Sequence, residues 1–145
     1  MSAIQSYATF YVDDLYFGIL TSNVVELTKG TEVTPVPLAP CAVSGLINLR
    51  GQIVTAIDMR KRMKLKPNPH GESIITVFIR NNGVLFGLLI DKVSDILELV
   101  DTDLEPPPSN MPSAAYELII GFHKLAGKLL FILDADKLIL GCLAE

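Results

Sequence analysis

The 145-residue sequence has no Trp, only two Cys and two His, and its 12 Lys and Arg are outnumbered by 16 Asp and Glu. A net charge of −4 provides no broad positive field. Nucleic acid is therefore not expected as a partner, because phosphate binding rests on clustered Lys and Arg. The one basic run, Arg60, Lys61, Arg62, Lys64 and Lys66, reads as a solvated short helix and loop. Cys41 and Cys142 lie far apart and fit neither C-x-x-C nor a zinc spacing, so both read as free thiols. The N-terminus MSAIQSYATF lacks a basic start followed by an apolar segment, so no secretion signal is expected. The longest apolar stretch, VLFGLLI from Val84 to Ile90, falls well short of the roughly 18 residues needed to cross a bilayer. A cytoplasmic location without membrane insertion is the expectation.

What the chain has in abundance is Ile, Leu and Val. Half of its residues are hydrophobic, enough for a real core at this length. Short runs rich in Ile, Val, Phe and Tyr, split by turn signals, predict many short strands. Thr9 to Thr21 breaks at Asp13-Asp14, Thr76 to Ile90 at Asn82-Gly83, and Leu125 to Leu133 at Ala126-Gly127. Asn-Gly is the strongest two-residue hairpin signal, because both residues tolerate positive φ. Helix is confined to two short pieces, Asp58 to Leu65 and Ala135 to Leu143.

The second half of the chain repeats the first. LYFGILTSNVVEL, Leu15 to Leu27, aligns with VLFGLLIDKVSDI, Val84 to Ile96. GLINLRGQIVTAID, Gly45 to Asp58, aligns without a gap with GFHKLAGKLLFILD, Gly121 to Asp134. Two homologous β modules follow, residues 5 to 66 and 72 to 141. A strand-rich unit of about 60 residues most simply closes its edges as a small barrel. Two such barrels, each small for independent stability, are expected to pack together. The fold class is thus all-β with short helices, built as two pseudo-repeated five-stranded barrels.

Within this repeat Arg50 stands where the second copy has Ala126. A charge demanded by the turn would occur in both copies. The shared Gly51 and Gly127 supply what the turn requires, which is positive φ. Arg50 is therefore copy-specific, and two readings are open: a cap on a solvent-facing hairpin, or a pair with Glu26, the other charge in an apolar strand.

Catalytic chemistry is not expected. His70 and His123 have no ligand spacing around them. Asp101, Asp103 and Glu105 lack the Gly and distal Glu of a calcium loop. Asp58 and Asp134 each end a strand before helix-like sequence, where Asp usually serves as an N-cap, although a hydrolase or ligand-binding barrel using both is the competing reading. No nucleophile elbow or phosphate-binding glycine motif occurs. No catalytic residue, metal or cofactor is therefore assigned.

GLINLRGQIVTAIDMRKRM is similar to the N-L-R-G turn, apolar strand and D-L-R ending of the CheW family, the small coupling proteins of bacterial chemotaxis. YFGIL followed by VVEL, PVPLAP, FGLLIDKVSDIL and IIGFHKLAGKLLFILDADKLI extend the resemblance over nearly the whole chain. Thr55 and Met59 depart from it, at positions where the family usually has Pro and Leu. The resemblance implies two intertwined barrels of the SH3-like type. It also implies a non-enzymatic signalling adaptor between the regulatory domain of a CheA-type histidine kinase and the cytoplasmic hairpin tip of methyl-accepting chemotaxis receptors. By the same resemblance, Asn48, Leu49, Arg50 and Gly51 form the coupling turn, Val24 and Glu26 the strand before it, and Val93 and Ile96 an apolar wall of the receptor groove. The alternative within this class is a stand-alone regulatory or scaffold module for another kinase.

Overall fold

In chain order the strands are β1 (Ile4–Val12), β2 (Leu15–Leu20), β3 (Val24–Lys29), β4 (Val43–Leu49), β5 (Gln52–Asp58), β6 (Ile75–Asn81), β7 (Val84–Ile90), β8 (Lys92–Val100), β9 (Ile119–Leu125) and β10 (Lys128–Leu133). The helices are α1 (Met59–Arg62), α2 (Ser113–Tyr116) and α3 (Ala135–Leu143). The computed structural model describes residues 3–30, 32–38, 42–66 and 75–143, the last four by their backbone alone. His70, Cys41 and the Cys142 side chain lie outside the described residues. The hairpin signals fall where expected, with φ of 56° at Asp13 and of 51° and 80° at Asn82 and Gly83. Both helical pieces form, the first ending at Arg62 and not at Leu65, and each is capped by the Asp before it. Asp58 Oδ1 accepts from the Arg60 and Lys61 N–H groups at 3.0 and 3.2 Å. Asp134 Oδ1 accepts from those of Asp136 and Lys137 at 3.0 and 3.3 Å. α2 had no sequence signal, being a single turn after a Pro-rich segment.

The repeat is plain in the element order, five strands and a closing helix in each half with α2 added in the second, but it does not divide the molecule in space. One sheet runs β8-β1-β2-β10-β9 and the other β3-β6-β7-β5-β4. Each takes the first two strands of one half and the last three of the other. This corrects the reading of one barrel per half over 5 to 66 and 72 to 141, and it agrees with the intertwining that the resemblance implied. The parallel joints are equivalent: Phe17 and Gly18 lie beside Phe131 and Ile132, while Phe86 and Gly87 lie beside Thr55 and Ala56. The pairings also make open sheets, not the closed barrels expected.

Among the described residues three apolar clusters hold the sheets. The largest draws Phe10, Phe17 and Phe131 from the first sheet and Ile57, Val77 and Leu88 from the second, so it lies between them. The other two lie on the far sides, Ile47, Val54 and Phe78 on the second sheet and Tyr7, Tyr16 and Leu130 on the first. β7 shows why its sequence is an unbroken apolar run. Phe86, Leu88 and Ile90 enter the shared core while Leu85 and Leu89 enter the far one, so both faces are buried. Met59 is fully buried in the shared core, where Met and Leu have similar volumes. Nothing in the structure explains Thr55.

Candidate functional site

The Arg50 turn is a two-residue hairpin between β4 and β5, with Leu49 paired to Gln52. Arg50 and Gly51 both have positive φ, 52° and 86°, as the right-handed twist of a tight hairpin favours. The equivalent second hairpin has positive φ only at Gly127. A non-Gly residue in the left-handed region costs about 1 kcal/mol, and Asn48 offsets part of it: its Oδ1 accepts from the Gly51 N–H at 2.8 Å. Leu49 packs on the core of the second sheet.

From this turn the Arg50 Nη2 reaches Glu26 Oε1 at 2.7 Å. The pair expected as one of two readings is therefore formed, with Arg50 75% exposed and Glu26 20% exposed at the side chain. Glu26 lies on β3 and Arg50 next to β4, the two ends of the sheet. In a flat sheet four strand spacings would separate them by about 19 Å, beyond the reach of two side chains. The sheet must curl until its ends meet, and the ion pair joins them where no backbone pairing does.

The edge strands β3 and β8 carry equivalent bulges. On β8 the ladder steps from Val93 opposite Phe10 to Ile96 opposite Ala8, and on β3 from Val24 opposite Ile79 to Glu26 opposite Phe78. One extra residue on the edge strand changes which side chains share a face. Val93 and Ile96, three apart, both face the shared core, as do Val24 and Leu27. The inner member of each pair, Val24 or Val93, packs on that core. The outer members are exposed, Leu27 by 45% and Ile96 by 67%. Glu26 turns to the opposite face, toward Arg50. On β8 the bulge is satisfied by Thr9, whose hydroxyl donates to the Asp95 carbonyl and accepts from Tyr16 Oη at 3.0 Å.

The structure thus brings together Glu26, Asn48, Leu49, Arg50 and Gly51 at one end of the second sheet. It places Val24 on the other face of β3, and Val93 and Ile96 at the edge of the first sheet. Leu27 was missed, although the repeat aligns it with Ile96. Arg60 was also misread. It belongs to no solvated face, being 14% exposed and paired to Asp91 at 2.6 Å. Arg62 donates to the Leu138 and Lys137 carbonyls of α3 at 3.2 and 3.3 Å. Lys61, Lys64 and Lys66 are exposed as expected.

Among the described residues no group of three His, Cys, Asp or Glu is placed to hold a metal, and no helix is long and apolar enough to cross a membrane. Asp58 and Asp134 are both engaged as helix caps. His123 is buried in the far core of the first sheet, where burial pushes its pKa down and Asp103 partly opposes this.

Comparison with known proteins gives a consistent result. Residues 6–141 match the family model described as a CheW-like domain. The chain is 30% identical over 128 residues to the chemotaxis protein CheW of Rhizobium meliloti, covering 88% of this chain and 83% of that protein. It is 27% identical over 135 residues to that of Klebsiella aerogenes, covering 93% and 81%. Among solved structures, the crystal structure of the scaffolding protein TtCheW from Thermoanaerobacter tengcongensis superposes with a TM-score of 0.80 at 24% identity, over 91% of this chain and 90% of that one.

Proposed function

The chain belongs to the CheW-like domain family, and on that premise we propose that it is a non-enzymatic adaptor coupling methyl-accepting chemotaxis receptors to a CheA-type histidine kinase. The observation that carries this reading is the extent of the match, which runs through both halves of the repeat from residue 6 to residue 141. The protein would act in the cytoplasm and be recruited to receptor arrays at the membrane, with affinity for each partner supplemented by the many copies in an array.

The site geometry supports this assignment. Arg50 is an exposed guanidinium held in one orientation by Glu26, which suits recognition better than a freely moving Lys. The exposed apolar side chains at the margins of the shared core, with Val24 and Val93 behind them, suit the apolar stripe of a receptor helix.

Calorimetric titration of the protein with the regulatory domain of a CheA-type kinase, and separately with a receptor hairpin, tests the reading. Saturable binding of both is expected. A wild-type protein that binds neither overturns the assignment. Arg50→Ala run in parallel tells which partner meets the turn.

A further inference from the structure

The chain passes between the sheets at two equivalent crossings, from β2 to β3 through Thr21–Asn23 and from β7 to β8 through Asp91. They are built differently. Arg60 Nε lies 3.1 Å from each Asp91 carboxylate oxygen, and Nη2 donates to Oδ2 at 2.6 Å. The same Oδ2 accepts from the Asp13 N–H at 2.6 Å, and the Asp91 N–H donates to the Tyr11 carbonyl at 3.1 Å. Arg60 Nη1 donates to the Lys66 carbonyl at 2.8 Å, and Asp13 Oδ1 lies 3.7 Å from Nη2. One side chain thus ties α1, which follows β5 of the second sheet, to the β1–β2 hairpin of the first and to the residue where the chain changes sheets.

Among the described residues the first crossing has no such clamp. The repeat places Ser22 at the position of Asp91, Asn82 at that of Asp13 and Asp136 at that of Arg60, a set without a cation. Its short 3-10 turn has no side-chain cap. Shortly after each crossing comes the apolar residue that packs on the shared core, Val24 after the first and Val93 after the second.

We propose that Arg60 is a positioning residue that holds the Val93 side of the helix-binding region fixed and leaves the Val24 side to adjust when a partner's apolar helix docks. The assignment of a helix-binding region rests on the function proposed above. A forked Arg–carboxylate contact fixes geometry in a way a point charge does not. The Val24 side has the largely exposed Glu26–Arg50 pair in place of a fork at the crossing, and exposed pairs contribute little, so it opens at lower free energy. Docking is therefore accommodated by movement at β3.

Hydrogen exchange of the free protein tests the asymmetry without any partner. In wild type, amides from Val93 to Ile96 should exchange about tenfold more slowly than the equivalent amides from Val24 to Leu27, after correction for intrinsic rates. Arg60→Gln should abolish the difference by speeding the first set, and Arg60→Lys, which keeps the charge without the fork, should reduce it. Equal exchange in wild type, or a difference that survives both substitutions, overturns the proposal. Should Arg60→Gln not fold, Arg60→Lys carries the comparison. Titration supplies the second readout: Arg60→Lys should weaken receptor-hairpin binding several-fold and leave kinase-domain binding unchanged, and equal loss for both partners overturns a positioning role. A wild-type protein that binds no hairpin defeats the functional reading instead, which is distinguishable because the exchange difference needs no partner.

Discussion

Ile47 and His123 hold the same position in the two halves of the repeat, and each is 2% exposed. Ile47 packs in the far core of the second sheet beside Val54 and Phe78. His123 sits opposite Leu130 in the first, 6.1 Å from the ring of Tyr7, and its Nε2 has no hydrogen-bond partner among the described residues. The fold accepts an aliphatic side chain at this position, so the imidazole brings an unpaired buried polar atom that the architecture does not require.

A pH dependence follows. Burial holds the folded His123 pKa below the ordinary 6.5. Well above that value both states are neutral and no protonation penalty exists. As pH falls below it the unfolded chain takes up the proton first, and stability is lost at up to about 1.4 kcal/mol per pH unit until the folded value is passed. The wild-type unfolding temperature should therefore fall more steeply below pH 6.5 than that of His123→Ile. Parallel slopes in thermal scans would refute the argument.

Two glycines should be less replaceable than the turn glycines. A Cβ on Gly45 would strike the Thr34 carbonyl, and one on Gly121 the Glu105 carbonyl, because at both places a flanking strand segment bridges closely to the hairpin. Gly51 has open space around its Cβ and only its positive φ to object. Gly45→Ala and Gly121→Ala should each cost on the order of 1–3 kcal/mol, and Gly51→Ala about 1 kcal/mol. Urea midpoints at constant m-value rank the three. An inverted order would show that the close approach relaxes easily.

Arg50→Ala should cost little stability, since exposed ion pairs contribute under about 1 kcal/mol. A double-mutant cycle with Glu26→Gln, read by denaturant unfolding, should return a coupling energy in that range. Coupling well above it would mean that the pair is a main closure of the curled sheet. The same Arg50→Ala protein should bind one of the two proposed partners more weakly while keeping its unfolding temperature within a few degrees of wild type.

Local features were legible in the sequence, and non-local ones were legible only where the repeat exposed them. The Asn82-Gly83 hairpin and the Asp58 and Asp134 caps are set by neighbours along the chain, so period and turn chemistry found them. The exchange of strands was not readable from the residues alone. The alternation in β1 says that a face is buried, not whether its edge pairs with β8 or β3. Arg60 looked solvated because four other basic residues surround it, while its partner Asp91 lies 31 positions away. The bulges were invisible for the same reason, since a bulge is a relation between two strands. Leu27 carried a usable signal in its alignment with Ile96.

Leu27 and Ile96 lie at equivalent places on the two edge strands, exposed at the margins of the shared core, and each follows a residue that packs inside it. Ile96 is 67% exposed and Leu27 45%, so Ile96→Ser should leave stability within about 0.5 kcal/mol of wild type and Leu27→Ser should cost about 1 kcal/mol. Burial of such a side chain under a partner helix is worth about 1.5–3 kcal/mol when complete, so each substitution should weaken receptor-hairpin binding roughly five- to tenfold. The two should act alike because the bulges put them in the same setting. If Ile96→Ser weakens hairpin binding and Leu27→Ser does not, the helix contacts the first sheet alone, and the symmetry of the two edges has no part in recognition.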